Sequence, residues 1–369
     1  MAEDPVAKVT SAEAWTEFCE VLKKAGDVIL RDELTVDPFD RAEGMRYLSR
    51  LLRAGLIAFV EHPGPLHPRF QPLPRLVKMG LDNPDNYYVS ASVNSRRTYR
   101  IRGTRGSIHY LSFAAQSQNF AAKDNMSGSA GHLNDSEIAL EPDGGFEIIA
   151  SQEEHAGNWL KMVPGTSQIL IRQTYLDKAN EVPVEVEIEC LDVDAPPAPI
   201  DPARVPGQLM GAAMYAIGCA QWFADWVLDF DKRGECNAFH LPDEGQHQLV
   251  GGDPNIRIPL GHWELGPEEA LVIDVVPPEC DYWNVQLANI WAESLDYEHR
   301  QVHLNSHTAT LAADGSFRCI AAHQDPGHPN WLDTAGHQRG IMGFRWVRAN
   351  SLPLPKTRIV PFSELANLV

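Results

Sequence analysis

No two of the six cysteines in this sequence are spaced as a CxxC pair. Cys19, Cys190, Cys219, Cys236, Cys280 and Cys319 are scattered along 369 residues, so neither a disulfide framework nor a local zinc site is written in them. The pattern fits free, mostly buried thiols in a reducing compartment. Long apolar runs are missing too. The most apolar stretch, residues 209–220, is about a dozen residues long and runs into Gln221, Asp225 and Asp229, whereas a membrane-spanning helix needs about 20. The Met-Ala-Glu-Asp-Pro start has neither the cationic nor the apolar part of a secretory signal, so a cytoplasmic protein is expected. Cations are scarce: 31 Lys and Arg stand against 50 Asp and Glu, a net charge of -19. That balance excludes a nucleic-acid partner, whose phosphates need cationic contacts, and disfavours an anionic membrane surface.

Motifs for several chemistries are absent as well. No P-loop or GxGxxG opens a helix, and no HExxH or EF-hand loop appears. No GxSxG elbow is present; residues 127–131, Ser-Gly-Ser-Ala-Gly, read as a flexible loop. No cofactor and no metal is therefore expected from local motifs, although a metal site assembled from distant strands would leave no spacing to read.

What is present is organisation. The length suggests two or three domains. Residues 1–84 read as a helical segment and linker: Trp15, Phe18, Val21 and Leu22 recur at helical spacing, as do Met45, Leu48, Leu51, Leu52 and Leu56. Asp37-Pro38 is a start signal for the second of these helices. Five prolines between 61 and 74 make that stretch extended. Short strands with Gly and Asn between them follow over 85–193, and residues 182–190 alternate Val and Ile with Glu185, Glu187 and Glu189, a strand with one wet face. Residues 194–252 hold a Pro-rich linker and a helix over 209–230, and residues 253–369 return to strands.

The two strand-rich segments match each other. His132-Leu133-Asn134 is followed by Leu140, Asp143-Gly144 and Phe146, and His303-Leu304-Asn305 by Leu311, Asp314-Gly315 and Phe317 at the same spacings. Asn158-Trp159-Leu160 answers Asn330-Trp331-Leu332, and Arg172 answers Arg345. The expectation is a mainly β protein with helical additions, built from two pseudo-repeated antiparallel units of β-sandwich or jelly-roll type.

Residues common to both copies most simply serve the fold; residues special to one copy are better functional candidates. The second copy is the richer in histidine, and a strand over 300–311 would project His303, Asn305 and His307 from one face. Three readings stay open for them: fold and solvent contact, acid–base or substrate contact, and a metal ion shared by the two imidazoles. In the functional reading His303 or His307 moves a proton, Asp333 orients an imidazole, and Arg345 or Arg339 holds an anionic or carbonyl oxygen. Trp222 and Trp226 share a helix face and, with Trp291, Tyr297, Asn305 and Trp331, would line a pocket between that helix and the second unit.

The run Tyr282-Trp283-Asn284-Val285-Gln286-Leu287, the run from Trp291 to Tyr297, His303-Leu304-Asn305, the run from Asn330 to Thr334 and Arg345-Trp346-Val347 together resemble the bacterial domain-of-unknown-function family 1214, often paired with family 1254. The resemblance is clearest over 255–360 and implies a β-rich fold without bringing an activity or catalytic residues. The functional expectation is a small-molecule enzyme, a lyase or hydrolase for an aromatic or apolar catabolic intermediate, using His and carboxylate acid–base chemistry. The alternatives are a non-catalytic ligand-binding or assembly protein and a metal-dependent enzyme. A small-molecule substrate is the expected partner, and a homo-oligomer is compatible with the sequence.

Overall fold

The computed structural model describes residues 4–34, 37–61, 64–72, 77–117, 127–233, 236–245 and 252–367. The loop at 127–131 is described only in its backbone for its first four residues, where it forms the start of a strand.

Four helices open the chain: α1 (Pro5–Thr10), α2 (Glu13–Lys23), α3 (Gly26–Ile29) and α4 (Pro38–Leu56), the last continued by a π turn at Ile57–Glu61. The Asp37 carboxylate caps α4 by accepting the Asp40 N–H at 2.8 Å, and Pro38 supplies a first-turn residue with no N–H to satisfy. A 29-residue helix, α5 (Val205–Arg233), separates the two β units and packs against α2 and α4. Gly55 marks the crossing of α4 and α5, since a Cβ there would fall 2.6 Å from the Ala212 carbonyl oxygen.

The first β unit has β1 (Gln71–Pro72), β2 (Asn86–Ser92), β3 (Tyr99–Thr104), β4 (Tyr110–Ser117), β5 (Ser127–Asn134), β6 (Gly145–Ser151), β7 (Trp159–Lys161), β8 (Gln168–Thr174) and β9 (Glu185–Cys190). They form two sheets, ordered β1-β2-β8-β4-β5 and β7-β6-β3-β9. The second unit has β10 (Ile256–Arg257), β11 (Leu260–Glu264), β12 (Glu269–Val275), β13 (Tyr282–Ala288), β14 (His303–Asn305), β15 (Phe317–Ala322), β16 (Trp331–Asp333), β17 (Arg339–Val347) and β18 (Lys356–Pro361). Its sheets run β10-β17-β13-β14, with β11 also on β17, and β16-β15-β12-β18. The orders β7-β6-β3-β9 and β16-β15-β12-β18 superpose term by term, as do β2-β8-β4-β5 and β11-β17-β13-β14; the short strands differ, β1 pairing with β2 and β10 with β17. Even the one parallel pair recurs, β6 with β7 and β15 with β16. Register agrees as well: Ser112 faces Arg172 and Asn134 in the first unit, as Asn284 faces Arg345 and Asn305 in the second.

Two β-sandwich-like units are therefore present, each closed around its own apolar core, one centred on Phe113, Ile148 and Ile171, the other on Trp263, Phe317 and Phe344. The Asp-Gly turns serve both copies, with Gly144 at φ 84° and Gly315 at φ 81°, a region costly for residues with a Cβ. The glutamate row of β9 lies on the wet face: Glu185, Glu187 and Glu189 are exposed, and Glu189 pairs with Arg100 at 2.7 Å. The helical layer joins the second unit, because Tyr47, Leu51 and the α5 residues Ala220 and Phe223 share one core with Ile290, Trp291 and Ile341. No described helix is long and apolar enough to cross a membrane.

Candidate functional site

The units are locked together by two polar clusters with matching parts. The turn Asn83-Pro84-Asp85, just before β2, reaches into the second unit. Asp85 accepts hydrogen bonds at Oδ2 from the Tyr282 hydroxyl (2.7 Å) and Asn305 Nδ2 (3.0 Å), and its Oδ1 lies 3.0 Å from His303 Nε2. Asn284 Nδ2 donates to Asn83 Oδ1 at 2.7 Å. The turn Asp253-Pro254-Asn255, just before β10, reaches back into the first unit, where the Tyr110 hydroxyl donates to Asp253 Oδ2 at 2.8 Å and His132 Nδ1 stands 3.9 Å from Oδ1. Between the copies the carboxylate has moved from the third turn position to the first. Burial alone would raise the Asp85 carboxyl, but the bonds from His303, Tyr282 and Asn305 outweigh it and hold the group below the usual carboxylate range.

A cleft of about 350 Å³ opens between α4 and the loop at 289–300. Its helical wall is one face of α4, with Phe39, Glu43, Arg46 and Arg50 spaced four, three and four residues apart. The opposite wall is a tightly specified loop. Asn289 Oδ1 accepts the N–H groups of Trp291 and Glu293, both at 3.0 Å, around Ala292 at φ 55°. Three groups then hold residues 293–295. Arg50 Nη1 donates to Glu293 Oε1 at 2.5 Å, Asp82 accepts from the Ser294 N–H (2.9 Å) and hydroxyl (2.7 Å), and Lys78 Nζ donates to the Ser294 and Leu295 carbonyls at 2.7 Å each. Lys78 also sits 4.5 Å over the Tyr297 ring. His337 closes one end, edge-on to Phe39 at 4.8 Å.

Burial shifts three groups at the cleft. It lowers the Lys78 ammonium even though Asp82 and Glu293 favour the charge. It pushes the enclosed Glu293 carboxyl up to about 7, with Arg50 and Asn289 offsetting only part of the effect. It brings His337 down to about 4, so this imidazole is neutral at neutral pH. Groups displaced toward neutrality in a concave, partly apolar site are suited to exchanging protons with a ligand. Among the described residues, no group of three or more His, Cys, Asp and Glu side chains could hold a metal ion.

The residues singled out from sequence divide between these places. Tyr297 lines the cleft, and Trp291 is buried behind its loop, stacked on Tyr47 and donating from Nε1 to the Asp40 carbonyl at 2.9 Å. Arg339 grips Asp40 at 3.2 Å from behind, and Asp333 accepts from the lining residue Arg300 at 2.7 Å, so Asp333 orients a guanidinium rather than an imidazole. His303, Asn305 and Arg345 belong to the inter-unit cluster; the buried Arg345 guanidinium is taken up by Gln286 and the Leu81 carbonyl. The His303 ring meets the edge of Tyr297 at 6.3 Å, which joins cluster to cleft.

His307 does not share the strand face of His303. The strand ends at Asn305, whose Oδ1 accepts the His307 and Thr308 N–H groups and turns the chain, leaving His307 half exposed and 3.8 Å from Asp177. Trp331 donates to the Ala322 carbonyl within the second unit, and Trp222 and Trp226 pack half-buried on the helical core, so none of the three lines the cleft. Of the four acid–base candidates, His303 and Arg345 share the inter-unit cluster, while Asp333 is bound to Arg300 and His307 stands beside Asp177. Sequence reasoning missed Lys78, Arg50, Asp82, Asp85, Glu293 and His337 as a set. One readable signal was the recurrence of Asn-Pro-Asp as Asp-Pro-Asn at an offset of 170 residues; another was the polar stripe on α4.

The family model described as "Protein of unknown function (DUF1214)" matches residues 89–177 and 270–349, one stretch in each β unit. The chain belongs to the DUF1214 family. It carries two copies of the DUF1214 match, which is the duplication legible in sequence and seen again in strand order. An uncharacterized protein from Burkholderia cenocepacia, known from its crystal structure, is 43% identical to this DUF1214 chain, with a TM-score of 0.93 over 98% of this chain and 100% of that one. A protein from Vibrio parahaemolyticus is 10% identical, with a TM-score of 0.48 over 91% of this chain and 100% of that one. Among curated proteins nothing matches the chain.

Proposed function

We propose that this DUF1214 protein is a small-molecule enzyme whose substrate enters the cleft between α4 and the 289–300 loop and reacts by proton transfer, in a lyase- or hydrolase-type step. The observation that carries this reading is the meeting of Lys78, lowered by burial, and His337, kept neutral by burial, in one cleft that also offers the Phe39 and Tyr297 rings. A destabilised ammonium gives up a proton, an imidazole held neutral offers a ring-nitrogen lone pair as a hydrogen-bond acceptor, and two rings suit an aromatic or apolar body. The reaction class expected from sequence is kept, in a catabolic and cytoplasmic setting, with the proton-transfer role moved from His303 and His307 to Lys78, and His337 serving as a neutral hydrogen-bonding partner.

Incubating the purified protein with a panel of small aromatic esters, amides and hydroxy acids, followed by NMR, tests the reading. At least one compound should be consumed by the wild type, with turnover lost in Lys78→Met and reduced in His337→Gln. Equal turnover in all three proteins would refute the assignment. A second reading, ligand binding without chemistry, is favoured by one feature: Lys78 spends two of its three N–H groups on scaffold carbonyls. Saturable binding with no product from any compound would favour it.

A further inference from the structure

We infer that the cleft takes a small organic carboxylate across Arg50 and the remaining donor of Lys78, and that each carboxylate bound brings one proton from solvent to Glu293. This rests on reading the cleft as a small-molecule site and names the chemical class of its ligand.

Arg50 and Lys78 both line the cleft, and neither is satisfied by scaffold contacts alone. Arg50 gives one N–H to Glu293, and its other N–H groups have no partner among the described residues. Lys78, only 8% exposed, forms no ion pair among them. A guanidinium fork beside an ammonium with a donor to spare matches a carboxylate, while Phe39 and Tyr297 would accept its carbon body.

Charge conservation supplies the second half. Arg50 and Lys78 are balanced by Asp82 and Glu293, so the buried group is neutral without a ligand. An entering carboxylate adds an anion where water is scarce, and one of the two acids is relieved most easily by taking a proton. Both oxygens of Asp82 already accept from Ser294, one from the N–H and one from the hydroxyl. Glu293 is fully enclosed, with one guanidinium bond and one amide bond from Asn289 at 3.1 Å, and that guanidinium is the one the ligand recruits. His337, which stays neutral down to about pH 4, does not take the proton at pH 8, and the other neighbours of Glu293 do not compete for it. Tyr47 of α4 faces Glu293 and, like Cys219 and Tyr215 of α5 beyond it, is pushed by burial far above its ordinary range and stays protonated.

Isothermal titration calorimetry at about pH 8, in phosphate-free buffers of different ionisation enthalpy, reads both halves, with benzoate, phenylacetate, benzamide and inorganic phosphate as probes. Benzoate or phenylacetate should bind with uptake of about one proton, and affinity should weaken about tenfold per pH unit above about pH 7. Glu293→Gln should bind the same carboxylate with no proton uptake and with affinity independent of pH over that range. Because the wild type reports proton uptake by itself, the outcome does not depend on the variant folding. Carboxylate binding without proton uptake would overturn the coupling. Equal affinity for benzamide, or tighter binding of phosphate, would overturn the ligand class while leaving a small-molecule cleft. Failure of every probe to bind would overturn both this inference and the reading on which it rests.

Discussion

Replacing Asp85 by Asn tests how the duplicated halves are joined. The substitution keeps side-chain size, removes the charge, and turns an amide NH₂ toward a surface built of donors. In the native protein Asp85 is only 4% exposed and accepts from Tyr282 and Asn305, with His303 at 3.0 Å. Breaking a buried charge-assisted cluster by removing one partner costs about 3–5 kcal/mol. For a chain of 369 residues the unfolding entropy is about 0.8 kcal/mol per degree, so the melting temperature should fall by about 4–6 °C at pH 7. The pH dependence has a definite sign. A carboxyl lowered in the fold stabilises it above its unfolded pKa, and that contribution is lost as pH falls through the folded value. The gap between wild type and Asp85→Asn should therefore close at strongly acid pH. Differential scanning calorimetry of both proteins reads this directly, with the half-exposed His307→Ala as a control expected to change stability by less than about 0.5 kcal/mol. An unchanged melting temperature for Asp85→Asn at pH 7 would refute the cluster as a joint between the units.

Two further outcomes follow from the cleft. Glu293, raised to about 7, and His337, lowered to about 4, pull stability in opposite directions with pH. The folded state binds the extra proton at Glu293 between about pH 4.5 and 7, so acidification stabilises it there; His337 refuses a proton between about pH 6.5 and 4, so acidification destabilises it. Each effect is on the order of 3 kcal/mol, so in the wild type the two largely offset one another over that window. Glu293→Gln should lose stability toward acid and His337→Gln should gain it; parallel profiles in thermal unfolding would contradict the shifts. Gly44→Ala should cost about 1–3 kcal/mol, because its Cβ would fall 2.6 Å from the Trp291 ring and force α4 off the cleft loop. Ligand affinity should drop with it, and unchanged binding in a titration would separate α4 from the site.

The duplication and the β-rich fold were legible because turn residues and strand alternation are local signals repeated at a fixed offset. Asp143-Gly144 and Asp314-Gly315 fall at the same turn in each copy, and the glutamates of 185–189 declare a wet face without reference to anything distant. The start of α4 was equally plain in Asp37-Pro38. The cleft was not legible, because its parts come from separate stretches of chain: Arg50 from α4, Lys78 from the segment after the Pro-rich run, Glu293 and Tyr297 from one loop, and His337 from the turn before β17. None is remarkable beside its sequence neighbours, and only tertiary burial turns Lys78 and Glu293 into perturbed acids. His303 and His307 form a pair only on a strand that runs past 305; Asn305 ends it by capping the next turn. The helical layer also took an unforeseen place. Expected as an addition, it supplies half the cleft wall.

The most direct test of the cleft as the working site is to locate a ligand in it. Crystals soaked with 4-bromobenzoate, measured at the bromine absorption edge, should give one anomalous peak between Phe39 and Tyr297 with the carboxylate toward Arg50 and Lys78. A peak confined to the α5 face beside Trp222 and Trp226, or on the inter-unit cluster at His303, would contradict the account.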